Sequence, residues 1–344
     1  MTGSLRDLLA AEGPIAVDRF MAEALGHPQW GYYRRQDPLG LDFTTSPEIS
    51  QVFGELIGVW AAVVWQQMGC PDPFVLAELG PGRGTLMADA LRAVAAMPGF
   101  VAAARIHLVE TSPALRERQR AALADRPVAW HDDVDDLPLG PTLVIANEFF
   151  DALPVRQFVK RREGWRERLV VWRDDRFAFV DGEIATIAAP AAIDGAVFEI
   201  NEAARRIVAG LGRRIAAENG VALIVDYGHP RSAAGDTLQA VHRNRRVPPL
   251  ENPGDADLTT HVDFEALAQA AWPAHATDVV TQAAFLGALN IGVRAERLKS
   301  ANPGQAADID AGCRRLIDPA GMGTLFKAMA IAHPSLPPLP GFVR

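Results

Sequence analysis

Cysteine is almost absent: the 344 residues include two, Cys70 and Cys313. Two thiols so far apart build no disulfide framework, and no Cys/His cluster has metal-ligand spacing. A reducing compartment and no metal are therefore expected. Positive charge is also short. Lys and Arg number 34 against 42 Asp and Glu, a formal net charge of −8. That balance argues against a general phosphate-backbone binder, which shows a basic face, so no nucleic-acid partner is expected. Long apolar runs are missing too. The most apolar helical stretch, Val52 to Trp65, contains Glu55 and two glycines and is too short to span a bilayer. No membrane insertion is expected. Met1 to Gly13 has neither an apolar signal core nor Arg/Ser-rich transit character. These absences together give the expectation of a cytoplasmic protein. What is present, 49% hydrophobic and 22% charged residues, is the composition of a globular chain with length for one large domain or two small ones.

The chain is organised around Phe74-Val75-Leu76-Ala77-Glu78-Leu79-Gly80-Pro81-Gly82-Arg83-Gly84-Thr85. Phe74 to Leu79 reads as a buried parallel strand. The three alternate glycines mark a tight turn where a ligand approaches backbone, and Leu86, Ala90, Leu91 and Val94 then recur at helical spacing. This is the first strand, loop and helix of a Rossmann-like α/β sheet. The third glycine comes one residue earlier than in a dinucleotide loop, and Glu78 is poorly placed for a phosphate ligand. Both features suit S-adenosylmethionine, which has no phosphate and carries an ammonium and a sulfonium. A ligand-free tight turn is the plainer alternative.

Further acids fall at strand ends. Ile106 to Val109 ends in Glu110, placed to accept from a ribose diol. Val128 to His131 exits through Asp132 and Asp133, either of which is placed for an adenine amino group or is a solvated loop acid. Thr142 to Ala146 runs into Asn147-Glu148-Phe149-Phe150-Asp151, where two acids flank two aromatics beside the glycine loop. Thr45 and Glu48 have capping-box spacing with Pro47 in the first turn. Free N–H groups there, with the hydroxyls of Thr45 and Ser46, suit a carboxylate such as the methionine end of the cofactor. Residues 155–180 read as short antiparallel β runs, 236–260 as a long polar loop, and Val221 to His229 as a fifth strand.

The blocks Gly31-Tyr32-Tyr33, Thr45 to Gln51, Phe53-Gly54-Glu55, Glu78 to Thr85, Glu148 to Pro154, Asp226 to His229, Ala256 to Thr259 and Val262 to Phe264 occur in that order. In this the chain resembles the MidA-like family of class I methyltransferases, which includes a mitochondrial complex I assembly factor that dimethylates an arginine. The resemblance runs from about Gly31 to Phe326. It implies a seven-stranded sheet that binds S-adenosyl-L-methionine and a protein substrate, a complex I subunit or similar, with an arginine guanidinium as acceptor. Carried over by motif, Glu78, Gly80, Gly82 and Gly84, with Pro81 between them, hold cofactor, Glu110 holds the ribose, and Glu148 with Asp151 lies at the acceptor. Three positions depart from the family pattern: Leu41 for a glycine, Asn147 for a histidine of mitochondrial members, and His261 for an acid. The candidate cofactor residues are thus Thr45, Ser46, Glu78, Gly80, Pro81, Gly82, Gly84, Glu110 and Asp133. Glu148, Asp151, Asn147 and His229 are the candidate catalytic ones, with His229 or His261 taking the released proton.

The expected organisation is a helical extension over 1–70 packed on the core, a first half of the core over 71–154, a β insertion over 155–200, a second half over 201–333, and a proline-rich surface tail over 334–344. A small-molecule methyltransferase and a cofactor-binding assembly factor without turnover are the alternatives. A dehydrogenase is disfavoured by Glu78 and the early third glycine.

Overall fold

The computed structural model describes residues 4–35, 45–124 and 126–342. Leu41 lies outside the described residues. The chain divides into two compact units, one of Met1–Phe43, Asp151–Arg206 and Arg231–Asp263, the other of Thr44–Phe150, Ile207–Pro230 and Phe264–Arg344.

The second unit holds the parallel sheet. Its strands follow the order His275–Ala276, Phe326–Ala332, Gly220–His229, Thr142–Asn147, Phe74–Leu79, Ala104–Val109 and Val128–His131. The last five are mutually parallel, and Phe326–Ala332 runs antiparallel to Gly220–His229. Val280–Thr281 pairs with Phe326–Ala332 off this path. Every residue of Phe74–Leu79 and of Thr142–Asn147 is buried, as strands covered on both faces require. The chain leaves Phe74–Leu79 for Ala104–Val109 on one side and later returns to Thr142–Asn147 on the other. The order therefore reverses between Phe74–Leu79 and Thr142–Asn147, the point at which open α/β sheets bind ligands beyond their carboxyl strand ends.

Two helices follow Thr45. Ser46–Ile49 ends at Ser50, which is extended (φ −156°, ψ 125°) and caps Gln51–Gln67 through Val52 N–H. The packing explains the break. A side chain on Gly312 would meet Ile49 O at 2.8 Å and Ser50 Cβ at 3.1 Å, so the helix Ala306–Ile317 presses on this corner. Gln51–Gln67 packs into the sheet's core through Phe53, Ile57, Trp60 and Val64. The tail is not merely laid on a surface. Trp60 Nε1 donates to Pro340 O at 3.0 Å, and Leu339 is buried.

The first unit contains an antiparallel sheet ordered Ile15–Ala16, Gly164–Arg173, Arg156–Arg161, Val197–Ile200, with Arg176–Ala185 on the far side of Gly164–Arg173. The helices Leu5–Glu12 and Val17–Gly26 pack in this unit through Leu8, Phe20 and Met21 against Val155 and Val170. The 1–70 extension expected on sequence is thus split: its first helices group with the inserted sheet, and Gln51–Gln67 with the parallel one. The expected 236–260 loop also has structure. Arg245–Val247, Gln239–His242 and Asp257–Thr259 form a small antiparallel sheet. Arg243 (φ 47°) and Asn244 (φ 60°) turn its hairpin, a left-handed pair without the Asn-Gly that signals such turns.

Candidate active site

The glycine loop is left-handed at each glycine: φ is 60° at Gly80, 54° at Gly82 and 83° at Gly84. Only residues without Cβ take that conformation cheaply. At Gly80 a Cβ would also lie 2.9 Å from the Phe149 ring. Gly80 N–H donates to Val109 O at 3.0 Å and Gly84 N–H to Pro81 O at 2.8 Å, which fixes the turn between the first two parallel strands.

Glu78 is buried. Burial pushes its carboxyl up to about 8, against a bond from Met87 N–H that favours the ionised form. Its Oε2 has no hydrogen-bond partner, and neither do the buried Ser112 Oγ and Asn147 Oδ1. Glu78 and Asn147 sit at adjacent parallel strand ends, and Ser112 follows the Ala104–Val109 strand. Buried polar atoms left without partners are costly, and these three lie at neighbouring strand ends. An acid and neutral acceptors around a glycine turn fit a phosphate-free, positively charged nucleoside.

Glu110 is buried, and burial raises its carboxyl above the ordinary range. Its Oε1 accepts from Ser112 N–H at 2.7 Å and its Oε2 from Gln119 Nε2 at 3.3 Å. Gln119, itself fully buried, also donates to Gly82 O at 2.7 Å and accepts from Trp130 Nε1 at 2.8 Å. It joins the glycine loop to Glu110. Nothing local in the sequence marks Gln119, which stands between Arg118 and Arg120 in the Pro113–Ala122 helix. Asp133 is exposed and caps the short helix Val134–Asp136 through Asp135 N–H at 3.0 Å, while Asp132 pairs with Arg116 at 2.7 Å.

Thr45 makes no side-chain cap bond, so the expected capping box does not form. Glu48 instead accepts from Thr85 Oγ1 at 2.5 Å and lies 3.7 Å from Arg83. Ser46 N–H, the free donor expected at a cofactor carboxylate, donates to Glu148 Oε1 at 2.7 Å. Glu148 has left-handed backbone (φ 50°), and Asn147 Nδ2 reaches the same oxygen at 3.1 Å. Burial raises the Glu148 carboxyl above its ordinary value, opposed by these two bonds. His229 ends the Gly220–His229 strand and is half-buried.

In the first unit, Asp151 is buried and its carbonyl accepts from Thr260 N–H at 2.9 Å. Tyr33 donates to Asp257 Oδ1 at 2.8 Å. Burial, then the charges of Asp257 and Asp151, hold its hydroxyl well above the tyrosine range. His261 N–H donates to Thr237 Oγ1 at 2.9 Å. Among the described residues no group of three or more His, Cys, Asp or Glu could hold a metal ion.

Against known proteins, residues 56–281 match the family described as "Putative S-adenosyl-L-methionine-dependent methyltransferase". The chain belongs to that family. It is 37% identical to "Protein arginine methyltransferase NDUFAF7, mitochondrial" of Danio rerio, over 96% of this chain and 86% of that protein. To the protein of that name from Homo sapiens it is 35% identical, over 96% and 83%. A Burkholderia thailandensis crystal structure with S-adenosyl-homocysteine bound superposes with a TM-score of 0.88 at 31% identity, covering 100% of this chain and 94% of the other. This protein is a class I methyltransferase in fold and uses S-adenosyl-L-methionine. The same relatives correct the cytoplasmic expectation, since they are named mitochondrial. Two free thiols and a mildly acidic composition do not separate one reducing compartment from another.

Proposed function

We propose that this enzyme transfers the methyl group of S-adenosyl-L-methionine to a guanidinium nitrogen of an arginine in a protein, with a respiratory complex I subunit as the candidate acceptor. The observation that carries the reading is near-full-length similarity to proteins named protein arginine methyltransferase. The short strands His275–Ala276 and Val280–Thr281, both on Phe326–Ala332, are read as one interrupted edge of a seven-stranded sheet.

The cofactor supplies an electrophilic methyl on a sulfonium. Glu78 faces its positive charge, and Gly80, Pro81, Gly82 and Gly84 give it backbone without side-chain obstruction. Glu110 takes the ribose hydroxyls and Asp133 the adenine amino group, with Thr45 and Ser46 at the methionine end. An arginine acceptor is a planar cation with a pKa above about 12, so a carboxylate must grip and aim it. Glu148 has that role, with its neighbour Asn147 holding its oxygen. A carboxyl that burial raises is returned to the ionised form by such a cation. His229 takes the proton that the nitrogen loses after transfer.

Glu148→Gln tests the assignment. With labelled-methyl cofactor and lysate protein from cells lacking this chain, transfer should fall at least about a hundredfold. S-adenosylhomocysteine should bind as before. Undiminished transfer would remove Glu148 from the reaction.

A further inference from the structure

Asp226 is fully buried near the end of the Gly220–His229 strand. A buried carboxylate is costly, and this one takes main-chain donors. Its Oδ1 accepts from Tyr227 N–H at 2.8 Å and its Oδ2 from Phe150 N–H at 3.0 Å. The second bond bears on the neighbouring strand. Val225 pairs with Asn147, and Glu148 N–H donates to Val225 O at 2.9 Å as the last rung of the ladder. The chain then turns left-handed at Glu148, φ 50°, a conformation disfavoured for a non-glycine residue. The Phe150 amide does not continue the ladder and is held by the Asp226 carboxylate. Glu148 and Phe149 therefore form a two-residue excursion fixed at both ends to one strand. Phe149 projects from it against Gly80, within 2.9 Å of where a Cβ would stand.

We propose that Asp226 is a positioning residue for methyl transfer: by holding Phe150 N–H it sets the direction of Glu148 and seats Phe149 on the glycine loop. The proposal rests on the reading of Glu148 as the acceptor's carboxylate. An asparagine does not replace the acid in this geometry, because the two main-chain donors meet different carboxylate oxygens and an amide has an oxygen at only one of those two positions. One amide would then face the NH2 group, and the excursion would loosen.

Asp226→Asn, Glu148→Gln and the unaltered protein are compared by initial rates of labelled-methyl incorporation into lysate protein from cells lacking this chain, with S-adenosylmethionine varied. A displacement of about 1 Å costs on the order of a hundredfold in rate. The Asp226→Asn plateau rate should fall at least tenfold by that measure, while the apparent KM for S-adenosylmethionine and the S-adenosylhomocysteine affinity stay within about threefold. Hydrogen exchange at the Phe150 amide should rise while Val221 to Val225 stay protected. A merely structural loss would instead unprotect the whole strand. Normal Asp226→Asn rates beside a silent Glu148→Gln overturn the proposal and leave the Glu148 reading standing. A fully active Glu148→Gln overturns both. If Asp226→Asn does not fold, the unaltered protein decides: a Phe150 amide protected like the strand supports the clamp, and one exchanging freely overturns it.

Discussion

Ser46 N–H donates to Glu148 Oε1 at 2.7 Å across 102 residues of sequence, and two residues on, Glu48 holds Thr85 at the mouth of the glycine loop. The short helix Ser46–Ile49 thereby ties the glycine loop to the strand end that carries Glu148.

The Glu48–Thr85 bond should show as a coupling energy. A hydrogen bond to a charged group is worth roughly 1.5–3 kcal/mol, and partial exposure brings this pair toward about 1 kcal/mol. Urea unfolding of Glu48→Ala, Thr85→Val and the double variant should give a non-additive term of about that size. Strict additivity would mean the bond contributes nothing.

Glu78 should link stability and cofactor binding to pH. Its folded value of about 8 lies above the ordinary carboxyl value, so the unfolded chain loses this proton first. Stability of the ligand-free protein should fall as pH rises from about 5 to 8, by about 1.4 kcal/mol per unit from this group alone. Glu78→Gln should flatten that slope. Binding of the positively charged cofactor should draw Glu78 into its ionised form and release a proton near pH 7. Calorimetry in two buffers of different ionisation enthalpy reads that proton, which should vanish in Glu78→Gln.

Gly80→Ala combines left-handed backbone with a Cβ 2.9 Å from Phe149, whereas Gly69→Ala has positive φ (90°) and open space. The Gly69 change should cost only the conformational term, about 1–2 kcal/mol of stability. Gly80→Ala should also displace Phe149 and weaken S-adenosylhomocysteine binding about tenfold or more. Equal cofactor affinity in the two variants would refute the close approach at Gly80.

Glu55 is 2% exposed and accepts from Arg294 at 2.7 Å and Gln51 at 2.9 Å. Burial alone would raise its carboxyl, but these bonds win and hold it below the ordinary range. Arg294→Ala leaves a buried carboxylate that Arg92 reaches only at 3.4 Å. Loss of such a partner costs about 3–5 kcal/mol in full burial, and about 2–3 here, since Arg294 is one-third exposed. A depressed carboxyl contributes stability above its unfolded value and loses it as pH falls. The deficit measured by urea unfolding at pH 7 should therefore shrink below about pH 4.

The parts of the site legible in the sequence were those with a local pattern. Three alternate glycines behind an apolar run can hardly be anything but a left-handed turn, and an acid directly after Thr142 to Asn147 must emerge where the strands end. What was not legible depends on distant packing. Ser50 breaks a helix because Gly312 brings another helix against it. Gln119 looks like a solvent residue until Trp130, Glu110 and Gly82 surround it. Asp226 was visible as a motif residue, but its hold on Phe150 needs the register of two strands 76 residues apart. The 239–247 hairpin has no sequence signal because Arg243-Asn244 carries no glycine.

The most direct test of the central claim is the identity of the labelled amino acid. Lysate protein from cells lacking this chain is incubated with the purified enzyme and labelled-methyl S-adenosylmethionine, and the labelled peptides are sequenced by mass spectrometry. The account predicts methylarginine in a discrete protein band, absent with Glu148→Gln. Label confined to small molecules, or to a residue other than arginine, would contradict it.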